Sequence, residues 1–263
     1  MRRRHASLPE ALPKAVRALC APVAAMVLVL AAGPTYAGCG DHPGPKVDWT
    51  GCSKPRLLLA KEDLTGAVLA KSDLGSTNLS QAKLPGAKLT EADLSFAKLD
   101  GADLSKADLS KAMGTRTDFT GANLTGANFA GADLSRSKFV RVKAAGARFV
   151  KSELNRSDFS GADLSQADLS RAELARVLFA TAKVTGVTFA LSNLARADLS
   201  HLDLSGVNLT DAYLMRTQLS GANLARATGV TQAQLDDACG SAETKLPPNT
   251  TAPKTWPCGE EPD

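Results

Sequence analysis

Arginine recurs at a fixed interval of twenty residues, and this series is the clearest candidate for recognition chemistry in the sequence. A guanidinium group carries a rigid fork of donors that matches carboxylate and phosphate groups. A regular column of such groups therefore predicts either an anion-recognition stripe or a structural ladder of charges. The members are Arg116, Arg136, Arg156, Arg176, Arg196 and Arg216.

Acidic residues flank the arginine series and favour the structural reading. Unit charges about 4.8 Å apart repel by about 0.9 kcal/mol even in water, so a column of like charges needs compensation. Carboxylates on either side offset that repulsion. Those that lie two or three residues from an arginine are Asp118, Asp133, Glu153, Asp158, Glu173 and Asp198.

Catalytic residues show no comparable pattern. His42 and His201 are isolated, and neither has a serine or cysteine placed for nucleophile activation. Serine is abundant, but it follows the apolar position of a repeat, where hydroxyl groups bond the local backbone. No glycine-rich phosphate loop precedes a helical segment. We therefore expect no catalytic activity, no cofactor and no metal ion.

The N-terminal segment has the features of an export signal. Residues 1–17 are basic, and residues 18–32 are apolar and uncharged. The apolar stretch is shorter than the roughly 20 residues that a membrane-spanning helix needs. Small residues at Thr35 and Ala37 predict cleavage after Ala37, and hence a periplasmic or extracellular location. An uncleaved membrane anchor and lipidation of Cys39 are the alternatives.

Four cysteines remain once the leader is removed, and their grouping predicts disulfides. An even number in an exported chain is typical of disulfide-bonded proteins. Three pairings are possible, and position along the chain favours Cys39–Cys52 with Cys239–Cys258. A zinc site is the alternative, but no histidine lies near either pair at ligand spacing.

The net charge of +4 comes from the leader. Residues 38–263 carry 26 Lys or Arg and 26 Asp or Glu, so the rest of the chain is formally neutral. Neutrality argues against a strongly basic nucleic-acid binder and also against an acidic mimic of DNA.

A five-residue repeat fills the middle of the chain. With the Leu or Phe position as the centre, 33 centres run from Leu64 to Leu224 without insertion or deletion. Ala is the commonest residue two positions before the centre, Asp or Asn precedes the centre, and Ser or Thr often follows it. The register extends upstream, so residues 47–226 form 36 in-phase pentads. A period of five fits neither a helix nor a plain strand, and it predicts a chain that turns a corner in every pentad.

Phenylalanine recurs every twenty positions and sets the size of one coil. Four pentads per coil predict a solenoid of about nine coils, with two phenylalanine columns on opposite walls. At about 4.8 Å per coil, the rod is roughly 43 Å long. One column contains Phe119, Phe139, Phe159 and Phe179, and the other contains Phe129, Phe149 and Phe189.

These pentads resemble the pentapeptide-repeat family, whose signature is Ala, Asp/Asn, Leu/Phe, Ser/Thr and a variable residue. Segments such as Gly-Ala-Asp-Leu-Ser and Gly-Ala-Asn-Leu-Thr carry the resemblance. It implies an all-β solenoid in the form of a right-handed quadrilateral β-helix, but little about function. Members that protect DNA gyrase present a DNA-like acidic rod. This chain departs from them in its export signal, its terminal cysteine pairs and its neutral mature surface.

The two ends of the repeat region have the composition of caps, which a solenoid needs to cover its terminal coils. Thr231 and Gln234 form the pattern of a capping box that opens a short helix, and Leu235 and Ala238 are placed to face the last coil. The predicted divisions are a signal peptide at 1–37, an N-terminal cap at 38–56, the β-helix at 57–226 with its register from 47, and a helical, Pro-rich C-terminal cap at 227–263.

Gly114 replaces a central leucine and interrupts the apolar series. We expect a local dent with Met113 leaning across it, in preference to a binding cleft. On that interpretation, a larger side chain at position 114 refills the column and is tolerated.

These features together predict a non-enzymatic exported scaffold, monomeric, without a membrane span after signal cleavage. Its expected partner is a protein or an anionic envelope polymer, not a nucleic acid. The alternative is a DNA-mimic modulator of gyrase or topoisomerase, as in some family members. That alternative requires cytoplasmic residence and an acidic rod.

Overall fold

The computed structural model describes residues 38–258. The predicted signal peptide at 1–37 lies outside the described residues, as does the end of the C-terminal cap at 259–263. The described segment is a solenoid followed by one short helix.

The polypeptide pairs with itself at a step of twenty residues. Parallel bridges run from Asp48–Val68 to Asn208–Thr228, and each of them joins residues twenty apart. The bridging residue on each face is the one that precedes the central Leu or Phe. The expected coil of four pentads is therefore present. Beyond residue 228 the pairing step lengthens, since Gln218 bridges Cys239 and Asn223 bridges Lys245.

Each corner of the coil is a tight turn with one residue in the left-handed region. At one corner the Ala67 N–H donates to the Leu64 carbonyl at 3.0 Å, and Gly66 between them has φ +64°. A positive φ at the third of four turn residues is the mark of a type II turn. The fifth, variable residue of the repeat takes this position throughout the solenoid.

Asp and Asn before the centre stabilise the corner that follows. The Asp163 carboxylate accepts hydrogen bonds from the Ser165 N–H at 3.0 Å and the Ser165 hydroxyl at 2.5 Å. Short polar side chains commonly brace turns in this way. The Ser165 hydroxyl and N–H lower the pKa of Asp163, outweighing the opposing effect of burial, and Lys183 nearby adds to the lowering. The repeat therefore places Asp or Asn before the centre and Ser or Thr after it because these side chains stabilise the turn.

The core is a single column of Leu, Phe and Ala side chains inside the coils. Both phenylalanine columns are present and fully buried. Within one column the Phe139 and Phe159 rings stack with centroids 4.5 Å apart, and across the core Phe139 meets Phe149 edge-on at 5.8 Å. These are the favoured aromatic geometries, and they bind neighbouring coils and opposite walls together.

Gly114 faces the core without a cavity beside it, because Leu134 of the next coil fills the space. A Cβ at position 114 would lie 2.8 Å from Leu134 Cδ2 and 3.2 Å from Thr117 Oγ1. The expectation for Met113 was wrong, since its side chain is half exposed on the outer face. A large residue at position 114 would therefore displace Leu134, not refill a gap.

The N-terminal cap is built on Trp49 and one disulfide. Trp49 is fully buried, and the ammonium group of Lys54 lies 4.3 Å from its ring centroid. Cys39 and Cys52 are joined with their Cα atoms 5.5 Å apart. The cap therefore seals the first coil with one aromatic side chain and a covalent loop.

The C-terminal cap contains helix α1, Gln232–Asp237, which opens with the predicted capping box at Thr231 and Gln234. Leu235 and Ala238 are buried, as expected. The Gln234 amide also donates to the carbonyls of Leu209 and Ala212 at 2.9 and 2.8 Å, which fixes the helix to the solenoid.

The tail returns over the helix and is held by the second disulfide. Cys239 and Cys258 are joined with their Cα atoms 5.3 Å apart, and the Trp256 indole N–H donates to the Ala238 carbonyl at 2.8 Å. Both expected disulfide pairings are thus present. No helix within residues 38–258 is long and apolar enough to span a bilayer.

Candidate functional site

The six arginines of the twenty-residue series occupy the left-handed position of one corner, with φ between +54° and +61°. We call this column the arginine corner. Its register is fixed by backbone hydrogen bonds to the next coil: the Arg156 N–H donates to the Ala175 carbonyl and the Arg176 N–H to the Ala195 carbonyl, each at 2.9 Å. The guanidinium groups therefore project from a rigid backbone at a spacing of about 4.8 Å.

Glycine prefers the same backbone position but is absent from this column. A left-handed φ costs a residue with a side chain about 1–2 kcal/mol, whereas glycine adopts it freely. From residue 56 to residue 216, no member of the arginine corner's column is glycine. Glycine is the commonest residue of the diagonally opposite column, which we call the glycine corner. Its glycines are Gly66, Gly86, Gly126, Gly146, Gly186 and Gly206.

Buried hydroxyl groups link successive coils beneath the arginine corner. The Ser137 hydroxyl donates to the Gly114 carbonyl at 2.6 Å and accepts from the Thr117 N–H at 3.1 Å. The Ser157 hydroxyl likewise donates to the Leu134 carbonyl at 2.8 Å. In the glycine corner the corresponding positions are occupied by Ala and Val. The costly corner is therefore the one with additional hydrogen bonds.

Three of the carboxylates that flank the arginine corner are engaged elsewhere. The Asp158 carboxylate accepts from the Ser160 N–H and hydroxyl, at 2.8 and 2.5 Å. Asp118 lies 4.0 Å from Lys138, and the Glu173 carboxylate accepts from Asn193 at 2.8 Å.

The three central arginines are not paired with these acids. Among the described residues, no carboxylate lies within 4.0 Å of the guanidinium groups of Arg136, Arg156 or Arg176. The compensating ladder expected from the sequence is not formed by contact at these three positions.

Exposed aromatic and apolar side chains stand at both ends of the arginine corner. Phe96 belongs to the same column and is 55% exposed. Its ring centroid lies 5.6 Å from the Arg116 guanidinium carbon. Tyr213 and Met215 are 49% and 43% exposed, and they directly precede Arg216 along the outer face. The corner therefore combines cationic groups with apolar ring surface.

The remaining candidates are placed apart from this column. His201 occupies a left-handed position in a different corner column, and His42 lies in the N-terminal cap. The four cysteines are at the two ends of the solenoid, within the caps. The structure thus brings together only the arginines, their backbone corner and the neighbouring exposed rings.

The left-handed corner and the buried hydroxyls had not been inferred from the sequence. Both leave a signal there. Glycine is frequent in the variable position, which indicates a positive φ. Thr117, Ser137 and Ser157 replace Ala at a step of twenty residues, which indicates a polar link inside one corner.

Family models for pentapeptide repeats match most of the solenoid. The model for a pentapeptide repeat region matches residues 112–189, and the model for pentapeptide repeats in eight copies matches residues 63–95, 87–113 and 192–228. These matches imply a right-handed quadrilateral β-helix, in agreement with the twenty-residue coil. No curated protein sequence matches the chain.

Solved structures of repeat proteins are also similar to the chain. HetL, a pentapeptide repeat protein involved in heterocyst differentiation regulation from the cyanobacterium Nostoc sp. strain PCC 7120, is 30% identical over 77% of this chain and 92% of its own, with a TM-score of 0.41. QnrB1, a plasmid-mediated fluoroquinolone resistance protein, is 17% identical over 75% of this chain and 88% of its own, with a TM-score of 0.36. A pentapeptide repeat protein of the Arabidopsis thaliana thylakoid lumen is 28% identical over 37% of this chain and 64% of its own, with a TM-score of 0.25.

Proposed function

Because the chain belongs to the pentapeptide-repeat family, we propose that it is a non-enzymatic exported scaffold whose outer surface binds a partner in the periplasm or outside the cell. Proteins of this family are generally structural or binding proteins. A rod of about nine coils, roughly 43 Å long, would offer such a partner a rigid and regular surface.

The two disulfides are the observation that carries the export proposal. Cys39–Cys52 and Cys239–Cys258 staple the opposite ends of the solenoid. Disulfides persist in oxidising compartments and are rare in the cytosol, where thiols are kept reduced. Basic and apolar segments at residues 1–32, followed by small residues at the predicted cleavage site, agree with this location.

The net charge of the mature chain argues against a partner that normally binds DNA. Residues 38–263 carry equal numbers of cationic and anionic side chains, and the most regular column is cationic. A surface that imitates DNA must be strongly acidic along its length. The DNA-mimic alternative therefore lacks the net negative charge that it requires.

Fractionation of cells combined with mass spectrometry tests the proposal. The protein should be recovered from the periplasm or the medium with Gly38 as its first residue and with no free thiol. Intact Met1 in the cytoplasmic fraction would contradict export and favour the DNA-mimic alternative. A lipid on Cys39 would instead show that the first disulfide does not form.

A further inference from the structure

We propose that the arginine corner binds a linear acidic polysaccharide, with the uronate carboxylates of the polymer along the arginine column and its sugar rings against the exposed aromatic side chains. This inference deepens the proposed function and rests on it for the compartment in which such a polymer is met. The ligand class is defined by repeated carboxylates on a chain of rings.

The central arginines are available for an external anion. No carboxylate of the described residues lies within 4.0 Å of the guanidinium groups of Arg136, Arg156 or Arg176. All three side chains are exposed. A guanidinium can hold a carboxylate through two parallel hydrogen bonds, and this geometry is closed to lysine.

The backbone position of the column favours a role for the side chains themselves. Glycine is the residue that a left-handed corner accepts without strain, and it fills most of the diagonally opposite column. Arginine at six consecutive coils is the more costly choice for stability. Mutual repulsion adds to that cost. The fold accepts many side chains at this corner position but does not require the same charge at six successive coils, whereas anion binding uses both the charge and its repetition.

The spacing of the column suits a polymer in preference to a single small anion. From Arg116 to Arg216 the column spans six coils, or about 24 Å between its first and last members. The first five members are fixed by a hydrogen bond from their own backbone N–H to the next coil, and the Arg216 N–H donates to the Asp237 carbonyl of helix α1. A chain of regularly spaced carboxylates can therefore meet several arginines at once without reorganisation of the protein, and linked contacts raise affinity together.

Exposed rings at the two ends of the column distinguish a polysaccharide from a polyphosphate. Phe96 precedes Arg116 in the column and is 55% exposed, and Tyr213, three residues before Arg216 in the sequence, is 49% exposed. Aromatic faces offer apolar, polarisable surface on which the C–H face of a sugar ring can pack. A phosphate chain has no such face, so the rings would contribute nothing to its binding.

Binding of polygalacturonate fragments of defined length by the full protein, as cells produce it, tests the inference. Affinity should rise with fragment length until the fragment spans the column, and then remain constant. It should fall as salt is raised, because the screening length decreases from about 10 Å at 0.1 M to about 3 Å at 1 M. Binding that does not depend on length or on salt would overturn the proposal.

Two double variants separate the column from general charge. Arg156→Gln with Arg176→Gln should weaken binding by about tenfold, since two exposed ion pairs are lost. Lys151→Gln with Arg171→Gln removes the same charge from a neighbouring corner column in the same coils and should change affinity by less than about twofold. Equal losses from both double variants would show that only net charge matters and would overturn the assignment to the arginine corner.

Phe96→Ser and a polyphosphate probe separate the two polymer classes. The variant should weaken polygalacturonate binding several-fold and leave any polyphosphate binding unchanged. Polyphosphate that binds more tightly than polygalacturonate, or a Phe96→Ser variant that binds polygalacturonate normally, would overturn the polysaccharide assignment. Each variant must have the same melting temperature as the unaltered protein, so that a change in binding is not caused by a change in folding. Because these measurements use purified protein, their failure is distinct from a failure of export in fractionation.

Discussion

The arginine corner and the glycine corner lie diagonally opposite each other in the same coil and are built on the same turn. One carries six arginines at a left-handed φ, and the other carries six glycines. One lies over Ser and Thr hydroxyls that bond between coils, and the other lies over Ala and Val. The same turn therefore forms with either residue, although arginine adopts the left-handed φ at a cost that glycine does not have. The two corners therefore differ in the charge that they present at the surface and in the hydrogen bonds beneath them, not in their backbone.

Gly114→Leu is expected to have the largest effect, because it overfills the core directly beneath the arginine corner. Leu134 already occupies the space beside Gly114, so a leucine would force it aside at a cost of about 1–3 kcal/mol. Chemical denaturation would measure the free energy of unfolding. Gly114→Ala is the control and should cost less, since only the end of the Leu134 side chain must move. An unchanged or higher stability of Gly114→Leu would show that the column has room there.

Ser137→Ala is expected to lower the free energy of unfolding by about 1–2 kcal/mol, because two hydrogen bonds are lost and each usually contributes about 1 kcal/mol. The change removes a donor to the Gly114 carbonyl and an acceptor for the Thr117 N–H, both between coils. Ser152→Ala is the matched control, because the Ser152 hydroxyl bonds only the Phe149 carbonyl in its own turn. If both variants lost the same free energy of unfolding, the hydrogen bonds between coils would stabilise the protein no more than a hydrogen bond within one turn.

A reciprocal exchange tests the comparison between the corners themselves. Arg156→Gly should raise the free energy of unfolding by about 0.5–1 kcal/mol, because glycine relieves the left-handed φ. Gly146→Arg should lower it by a similar amount, since a Cβ at position 146 meets no other atom and only backbone strain is added. Thermal or chemical denaturation would measure both. Destabilisation by Arg156→Gly would indicate that the arginine corner is a structural ladder.

Acid should have the smallest effect, and three of the five carboxylates whose pKa is lowered lie on the face that leads into the glycine corner. Hydrogen bonds from Thr65, Ser165 and Ser205 lower the pKa of Asp63, Asp163 and Asp203, respectively. A lowered pKa in the folded state means that stability is present at neutral pH and is lost as the pH falls through and below the ordinary range of Asp. Because these carboxylates are largely exposed, solvent screens the effect.

Asp163→Asn isolates this contribution. The variant keeps the amide oxygen that braces the turn but cannot be protonated in this range. The unfolding free energy should therefore fall less steeply between pH 5 and pH 2 than in the unaltered protein. Identical pH profiles would show that Asp163 does not contribute to acid sensitivity.

Much of the fold could be predicted because the repeat is uninterrupted. The centres from Leu64 to Leu224, together with the spacing of Phe119 and Phe139, determine a coil of twenty residues, and the rings stack as that coil requires. The capping box at Thr231 could be recognised because it depends on four local residues. These features are local or strictly periodic, which is why sequence alone reveals them.

The site was harder to predict because it depends on contacts between coils. Flanking acids such as Asp158 were expected to neutralise the arginines, but the turn hydroxyls and backbone of the repeat engage them instead. Gly114 gave no sign that Leu134 would turn toward it. The direction of a side chain within a column is set by packing against the next coil, so it cannot be predicted from the composition of the repeat.

The constant pairing step of twenty residues also makes the rod easy to lengthen or shorten in evolution. Residues twenty apart occupy equivalent positions, so duplication or loss of a coding segment for one whole coil preserves every column and leaves both caps on intact partners. Each such event changes the rod by about 4.8 Å. Within the arginine corner, it also adds or removes one binding group. Genetic slippage in whole coils would thus tune the reach of the protein without a new fold.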